Sequence, residues 1–475
     1  MGVSSEEDVF DLVVIGGGAA GEKGAVQAAY FGKKVALIER EPVLGGAMVN
    51  TGTIPSKTLR ETALVLSGLR QRGLYGIDLT LPRAATVTDF LHRLSFVTKE
   101  EGTRMAANLA RHDVTCIHGT ARFIDPHTLA VATPGGERIV RAGHVLIATG
   151  SSPNRPPAFQ FEQERIYDSD EIVNVHEIPK ALTIVGGGVI GSEYACLFAA
   201  LGVKVTMVEA KGSLMQFLDD EILELLMKRM ASLGIEFKFN SEVALCTAGD
   251  NQVEMILLSG EALKADAVLV CAGRQANTSK LGLEAAGLTA GKRGQLDVDP
   301  VTFRTPVPHI AAVGDVIGFP ALASTSMEQA RVAVVHLFDF KYKIKVAPIF
   351  PYGIYTIPEV SMAGETEASL KAKNVPYVVG SASLLNNARG LIIGDEGLLK
   401  LLFHQDDMRL LGVHCLGEGA TELIHIGLMA LMAQGTADVF IQTCFNYPTL
   451  SEAYKYASYD ALGRKAKSAE PAAVS

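Results

Sequence analysis

Residues 11–39 read DLVVIGGGAAGEKGAVQAAYFGKKVALIE. Asp11 to Ile15 is an apolar run that predicts a buried strand. GGGAAG follows, then a helical stretch to about Phe31, then a second strand from Lys34 to Glu39. Strand, glycine turn, helix and strand in this order make a βαβ unit. Within the turn, Gly16-x-Gly18-x-x-Gly21 has the spacing of a dinucleotide fingerprint. The first glycine makes the turn, the second lets backbone approach a pyrophosphate, and the third lets helix and strand pack closely. The helix start offers free N–H groups and a positive dipole end to phosphates. Glu39 closes the second strand, where a carboxylate can accept hydrogen bonds from ribose hydroxyls.

The same pattern returns at 182–209, LTIVGGGVIGSEYACLFAALGVKVTMVE. Here Gly186, Gly188 and Gly191 take the glycine places and Glu209 the terminal acid. Two such units suggest two nucleotide-binding domains. Glu209 would bond an adenosine ribose and repel a 2′-phosphate. No arginine stands at 208–220 to clamp such a phosphate, although Lys211 is near. This favours NAD(H) over NADP(H) at the second site.

The rest of the chain is organised around these units. Residues 87–113 are helical by periodicity, and His144 to Thr149 is a strand. SSPNRPP, 151–157, reads as a linker. AVLVCAGR closes another strand at Arg274. From about Val346 to Tyr459 strands and helices alternate without a glycine fingerprint, which predicts a separate α+β domain. The last residues, GRKAKSAEPAAVS, read as a frayed tail.

Length and composition bound the function. The chain has 475 residues, enough for two to four domains. With 48% hydrophobic and 20% charged residues it can build real cores and is not a disordered chain. A net charge of -9 argues against nonspecific binding to nucleic acid or an anionic membrane. The acidic start MGVSSEEDVF is unlike a signal peptide, and no apolar run is long enough to span a bilayer. Six scattered cysteines form no CxxC pair, which fits a reducing compartment. The expectation is a cytoplasmic protein. His414 and His425 lack partners at metal-ligand spacing, so no metal site is expected. Asp219 to Lys228 reads as a solvated helix face.

The segment GGAMVNTGTIPSK, 45–57, brings these features to a family. With the two fingerprints, the chain resembles the FAD-dependent pyridine nucleotide–disulfide oxidoreductases over nearly its whole length. The fold this implies is α/β, with two Rossmann-like domains for FAD and NAD and a C-terminal α+β dimerisation domain. The expected bounds are 1–150 and 276–345 for the FAD-binding and central parts, 151–275 for the NAD(P) domain, 346–460 for dimerisation and 461–475 for the tail. The family's segment reads GGxCxNxGCxPSK, and its two cysteines form a redox disulfide. Here Met48 and Thr53 stand in their places, and neither can cycle between thiol and disulfide.

Further residues follow from the resemblance. Gly46, Thr149, Gly150, Gly314 and Asp315 fall in FAD-binding motifs, with Asp315 placed to bond the ribityl chain. Gly273 falls in the ending of the NAD domain. The family pairs the lysine of PSK, here Lys57, with a helix glutamate, here Glu193, beside flavin N5. A cation there favours electron density on reduced flavin, and the carboxylate keeps it charged. Val189 takes the place of a gating tyrosine found in many relatives. The family's acid–base motif HPTxSE is YPTLSE here, so Tyr447 replaces the histidine, and a packing or hydrogen-bonding role at the interface is expected for it.

Within the family, GTIPSK, IYDSD, YTIPE and FNYPT are most similar to the soluble, Si-specific pyridine nucleotide transhydrogenases. This implies a homodimer with noncovalent FAD that acts on small nicotinamide nucleotides. Hydride would pass from NAD(P)H to flavin N5 and then to a second nicotinamide, by a ping-pong route. Glu209 is awkward for an enzyme that must handle NADP(H). Two other readings stay open: an NADH-preferring diaphorase with quinone or dioxygen as acceptor, and a non-catalytic flavoprotein.

Overall fold

The computed structural model describes residues 8–68 and 86–469. The acidic start at 1–7 and the last residues, 470–475, lie outside them. The first sheet has seven strands. Asp8–Ile15 pairs in parallel with Val35–Glu39 on one side and with Gly136–Ile147 on the other. Thr115–His118 extends the sheet beyond Val35–Glu39. Leu12 to Val14 and Val35 to Ile38 are almost fully buried, as strands covered on both faces must be. The first strand begins at Asp8, ahead of the expected Asp11. Asp8 to Phe10 alternate in burial and pair with Val140 to Ala142, so the apolar run marks only the doubly covered part.

The long strand Gly136–Ile147 ties the unit together. Its first half pairs antiparallel with Thr128–Thr133, and its end pairs in parallel with Ile310–Ala312. The chain therefore leaves this sheet after Ile147 and rejoins it at Ile310. Between these points Ile166–Asp168, Ala181–Val185, Lys204–Val208, Glu236–Lys238 and Ala267–Val270 form an all-parallel five-stranded sheet. Helix Val189–Ala200 packs on it and is buried almost all round. An antiparallel meander, Val243–Ala248, Val253–Leu257 and Ala262–Ala265, covers one side.

The passage between the two sheets is more ordered than a linker. Ser151–Pro153 pairs antiparallel with Arg274–Ala276, so the outgoing and returning strands run side by side. Backbone groups of two adjacent crossings satisfy each other there.

The C-terminal part is a five-stranded antiparallel sheet backed by helices Ala420–Met432 and Ala453–Ala469. The second helix corrects the frayed tail over 461–469. Ala453, Tyr454, Ala457 and Ala461 are buried, and the Lys, Arg and Ala beyond them are good helix formers. Gly380 in the facing strand permits this packing, since a Cβ there would lie 2.0 Å from the Ala457 carbonyl oxygen. Among the described residues no helix is long and apolar enough to cross a membrane.

Candidate active site

The first glycine turn opens a cleft of about 740 Å³. Gly16 has a φ of +102°, and a Cβ on it would meet the Ala148 carbonyl oxygen at 2.4 Å. A Cβ on Gly21 would lie 1.8 Å from the Gly16 oxygen, so this residue serves helix–strand packing. Gly18 caps helix Ala19–Tyr30 with no side-chain acceptor, which leaves the first-turn N–H groups open. Glu39 accepts from the Gly17 N–H at 2.6 Å through one oxygen and from Glu41 N–H at 2.8 Å through the other. Each oxygen retains a further lone pair for a hydroxyl donor.

Gly16, Gly18, Glu39, Gly46, Thr149, Gly150, Gly314 and Asp315 all line this one cleft. Residues from 15–20, 38–53, 148–152 and 313–326 thus meet there, as a long dinucleotide requires. Thr51 also lines it, and the buried hydroxyls of Thr51 and Thr149 have no hydrogen-bond partner among the described residues. Orphaned buried donors beside a glycine cradle are what a polar ligand such as FAD would satisfy. Asp315 accepts from Ser151 Oγ at 2.8 Å, and Arg274 donates to Ser151 Oγ at 2.8 Å, to Ser151 O at 2.7 Å and to Asp170 at 3.1 Å. Nothing in the sequence assigns Ser151, Arg274 and Asp170 to the site. Only contact across the paired crossings reveals them.

Met48 and Thr53 both line the cleft, and no cysteine does. The six thiols are all free. Lys57 lies one turn beyond Thr53 on helix Thr53–Ser67. Its Nζ is 2.7 Å from Glu193 Oε2, on the helix that follows the second glycine turn. Glu193 is buried, and its other oxygen accepts from the Tyr355 N–H at 2.9 Å. The Lys57 ammonium also sits 4.8 Å from the centre of the Tyr355 ring. Arg60, one turn further, is buried, bonds Thr356 O at 3.1 Å and pairs with Glu359 at 3.4 Å. The lysine helix is thereby fixed against the segment carrying Tyr355.

The second turn repeats the first in detail. Gly186 has a φ of +110° and lies under the Cys271 carbonyl, and a Cβ on Gly191 would sit 2.0 Å from Gly186 O. Gly188 caps helix Val189–Ala200 without a side chain. Glu209 accepts from the N–H groups of Gly187 and Lys211. The carboxylate is held at the strand end as Glu39 is at the first site. Gly273 has a φ of +87° with open space where a Cβ would be, and Val189 opens the helix.

One surface reading changes. Asp219 is buried, and Lys400 Nζ lies 2.7 Å from it, 3.0 Å from Glu221 and against Glu367. The face predicted as solvated therefore begins with a buried ion pair, because Lys400 comes from a strand far along the chain. That ammonium also fills the one cluster of acids with metal-like spacing among the described residues. Tyr447 is 74% exposed in the single chain. His414 is buried with Nε2 on Glu365 O, and His425 is exposed.

Comparison with known proteins agrees with this geometry. The family described as pyridine nucleotide-disulphide oxidoreductase matches residues 10–335, and its dimerisation domain matches 350–458. A soluble pyridine nucleotide transhydrogenase of Mycobacterium bovis is 45% identical over 96% of this chain and 97% of its own length. One from Pseudomonas aeruginosa is 40% identical over 96% and 98%. Among solved structures, LpdA from Mycobacterium tuberculosis superimposes with a TM-score of 0.88 at 26% identity, covering 95% of this chain and 99% of its own. The HOCl-induced flavoprotein disulfide reductase RclA of Escherichia coli gives 0.84 at 28%, covering 94% and 98%.

Proposed function

The chain belongs to the pyridine nucleotide–disulphide oxidoreductase family of flavin-dependent oxidoreductases, and we propose that it transfers hydride between two nicotinamide nucleotides by a ping-pong route, without sulfur. One observation carries the proposal. The cleft that would hold FAD is lined by Met48 and Thr53 where a disulfide would stand, while Lys57, one turn beyond Thr53, keeps its pairing with Glu193. FAD, when bound, supplies a two-electron carrier that takes hydride from one nicotinamide and gives it to another.

The chain's own residues have separable roles in this reading. The Gly16–Gly18 turn and the uncapped helix start hold phosphates, Glu39 holds the ribose, and Asp315, fixed by Ser151, faces the polar chain between them. Lys57 would hold a positive charge toward the flavin when FAD is bound, which would favour the reduced form. Glu193 and Tyr355 hold that ammonium in position. The Gly186–Gly191 turn takes the nicotinamide nucleotides in succession, donor first and acceptor after it leaves. With both oxygens of Glu209 fixed by backbone N–H groups, its carboxylate cannot swing clear of a 2′-phosphate. This favours NADH as donor and gives weight to the second reading, a diaphorase with quinone or dioxygen as acceptor. The protein acts as a homodimer through its C-terminal domain. A cytoplasmic setting belongs to the proposal and is supported by six unpaired thiols.

The test is anaerobic mixing of the purified flavoprotein with NADH while the flavin absorbance is followed. Bleaching reversed by NADP⁺ or a thionicotinamide analogue supports transhydrogenation. Reversal only by quinone or air supports the diaphorase, and no bleaching leaves a non-catalytic flavoprotein.

A further inference from the structure

Three aromatic rings from distant parts of the chain stand in a column. The Phe217 and Tyr352 ring centres are 6.0 Å apart with planes tilted by 47°, and those of Tyr352 and Phe319 are 6.3 Å apart with planes 21° from parallel. At the end of the column Phe319 is 83% exposed, the most exposed large apolar side chain among the described residues. Phe217 is 45% exposed, although its neighbours Leu214, Met215 and Leu218 are all buried. The loop thus sends its other apolar side chains into the core and turns this ring outward.

Each ring is tied to a different part of the site. Phe319 follows Asp315 and precedes Ala321, and both of those line the cleft. Tyr352 opens the strand Tyr352–Ile354 that leads to Tyr355, the residue bound to Glu193 and facing Lys57. Phe217 lies two residues beyond Met215, whose N–H donates to the Gly187 carbonyl in the second glycine turn at 3.2 Å. Each ring thus lies within a few residues, along the chain, of a nucleotide-binding element, and Phe319 presents its ring at the exposed end.

We propose that Phe319, backed by Tyr352 and Phe217, is a stacking site for the oxidised nicotinamide ring as the nucleotide enters and leaves. This rests on the reading that nicotinamide nucleotides use the second turn. The chemistry discriminates between redox states. An oxidised nicotinamide is a planar cation, and the face of an aromatic ring attracts cations. The reduced ring is neutral and gains only apolar contact. Phe319 thus tilts binding toward the oxidised nucleotide, the species that must arrive in the second half of a ping-pong cycle.

Equilibrium binding tests this without turnover. NAD⁺ and its neutral, non-reacting 1,4,5,6-tetrahydro analogue are titrated by calorimetry into the oxidised flavoprotein, as wild type, Phe319→Leu and Phe319→Trp. Since Phe319 is exposed, neither substitution disturbs the core. Phe319→Leu is expected to weaken NAD⁺ by about two- to fivefold, the range of an exposed cation–ring contact, and the neutral analogue by less. Phe319→Trp is expected to match or exceed wild-type affinity for NAD⁺. An unchanged NAD⁺ affinity in Phe319→Leu, or an equal loss for both ligands, overturns the proposal. Anaerobic reduction of the wild type by NADH is read separately. If the flavin bleaches but Phe319→Leu binds NAD⁺ normally, the stacking site fails alone; if wild type binds neither nucleotide nor bleaches, the functional reading beneath it fails.

Discussion

Lys57 Nζ and Glu193 Oε2 lie 2.7 Å apart and join the helix beyond the first cofactor turn to the helix of the second. The pair bridges 136 residues of sequence and stands where the two nucleotide-binding units meet. Lys57→Met would leave the buried Glu193 carboxylate without its cation. The rate of flavin reduction by NADH in stopped flow is expected to fall by about tenfold or more, each tenfold being about 1.4 kcal/mol of barrier. Lys57→Arg, which keeps the charge, should retain most of it. Equal rates in Lys57→Met and wild type would remove the pair from the mechanism.

Glu209 sets nucleotide preference if its fixed carboxylate meets the adenosine ribose. Glu209→Arg should raise the ratio of kcat/KM for NADPH over NADH by about tenfold, a change of roughly 1.4 kcal/mol in discrimination. Unchanged selectivity would place the acid outside the binding site.

The Lys400 cluster is expected to matter for stability and for its pH dependence. Lys400 and Asp219 are both buried, so Lys400→Met leaves an unpaired buried carboxylate and should cost about 3–5 kcal/mol in a denaturant titration. Desolvation pushes the Glu367 carboxyl upward, but hydrogen bonds from Lys400 and Tyr377 outweigh it and hold the group at about 2, below its ordinary 4.5. A depressed carboxyl adds stability that is present above its unfolded value and is lost as pH falls through the folded one. Thermal melts should therefore show a loss between about pH 4.5 and 2, and the loss should be smaller in Lys400→Met. The same acid limb in both proteins would contradict the assignment.

Thiol chemistry gives an independent check. Burial pushes the Cys196 and Cys246 thiols up to about 12, so they stay protonated and unreactive at neutral pH. Cys271 and Cys415 are raised further by the same cause. Iodoacetamide on the native protein should modify only the exposed Cys116 and Cys444 and leave nicotinamide-dependent flavin reduction intact. Loss of that reduction on alkylation, measured by flavin absorbance with sites read by mass spectrometry, would bring a thiol back into the electron path.

The parts of this molecule that were legible in sequence are those where backbone geometry forbids a side chain. Gly16 and Gly21, and Gly186 and Gly191, stand against carbonyl oxygens that any Cβ would strike, so their spacing is fixed and readable. Glu39 and Glu209 follow because one ends, and the other directly follows, the strand next to its turn. What stayed hidden depends on side chains meeting over long separations. Ser151 and Arg274 meet across paired crossings, Lys400 reaches Asp219 over 181 residues, and Phe319 meets Tyr352 with no periodic pattern to announce it. The helix over 461–469 escapes the sequence for a related reason. Ala457 and Ala461 are apolar by position, against Gly380, more than by composition.

The most direct measurement is an anaerobic reductive titration of the purified flavoprotein, with the electrons counted per bound FAD. Full reduction after two electrons is the predicted result, since the only redox group in the cleft would be the flavin. An endpoint of four electrons, with a thiolate-to-flavin charge-transfer band midway, would reveal a reducible disulfide and contradict a sulfur-free hydride relay.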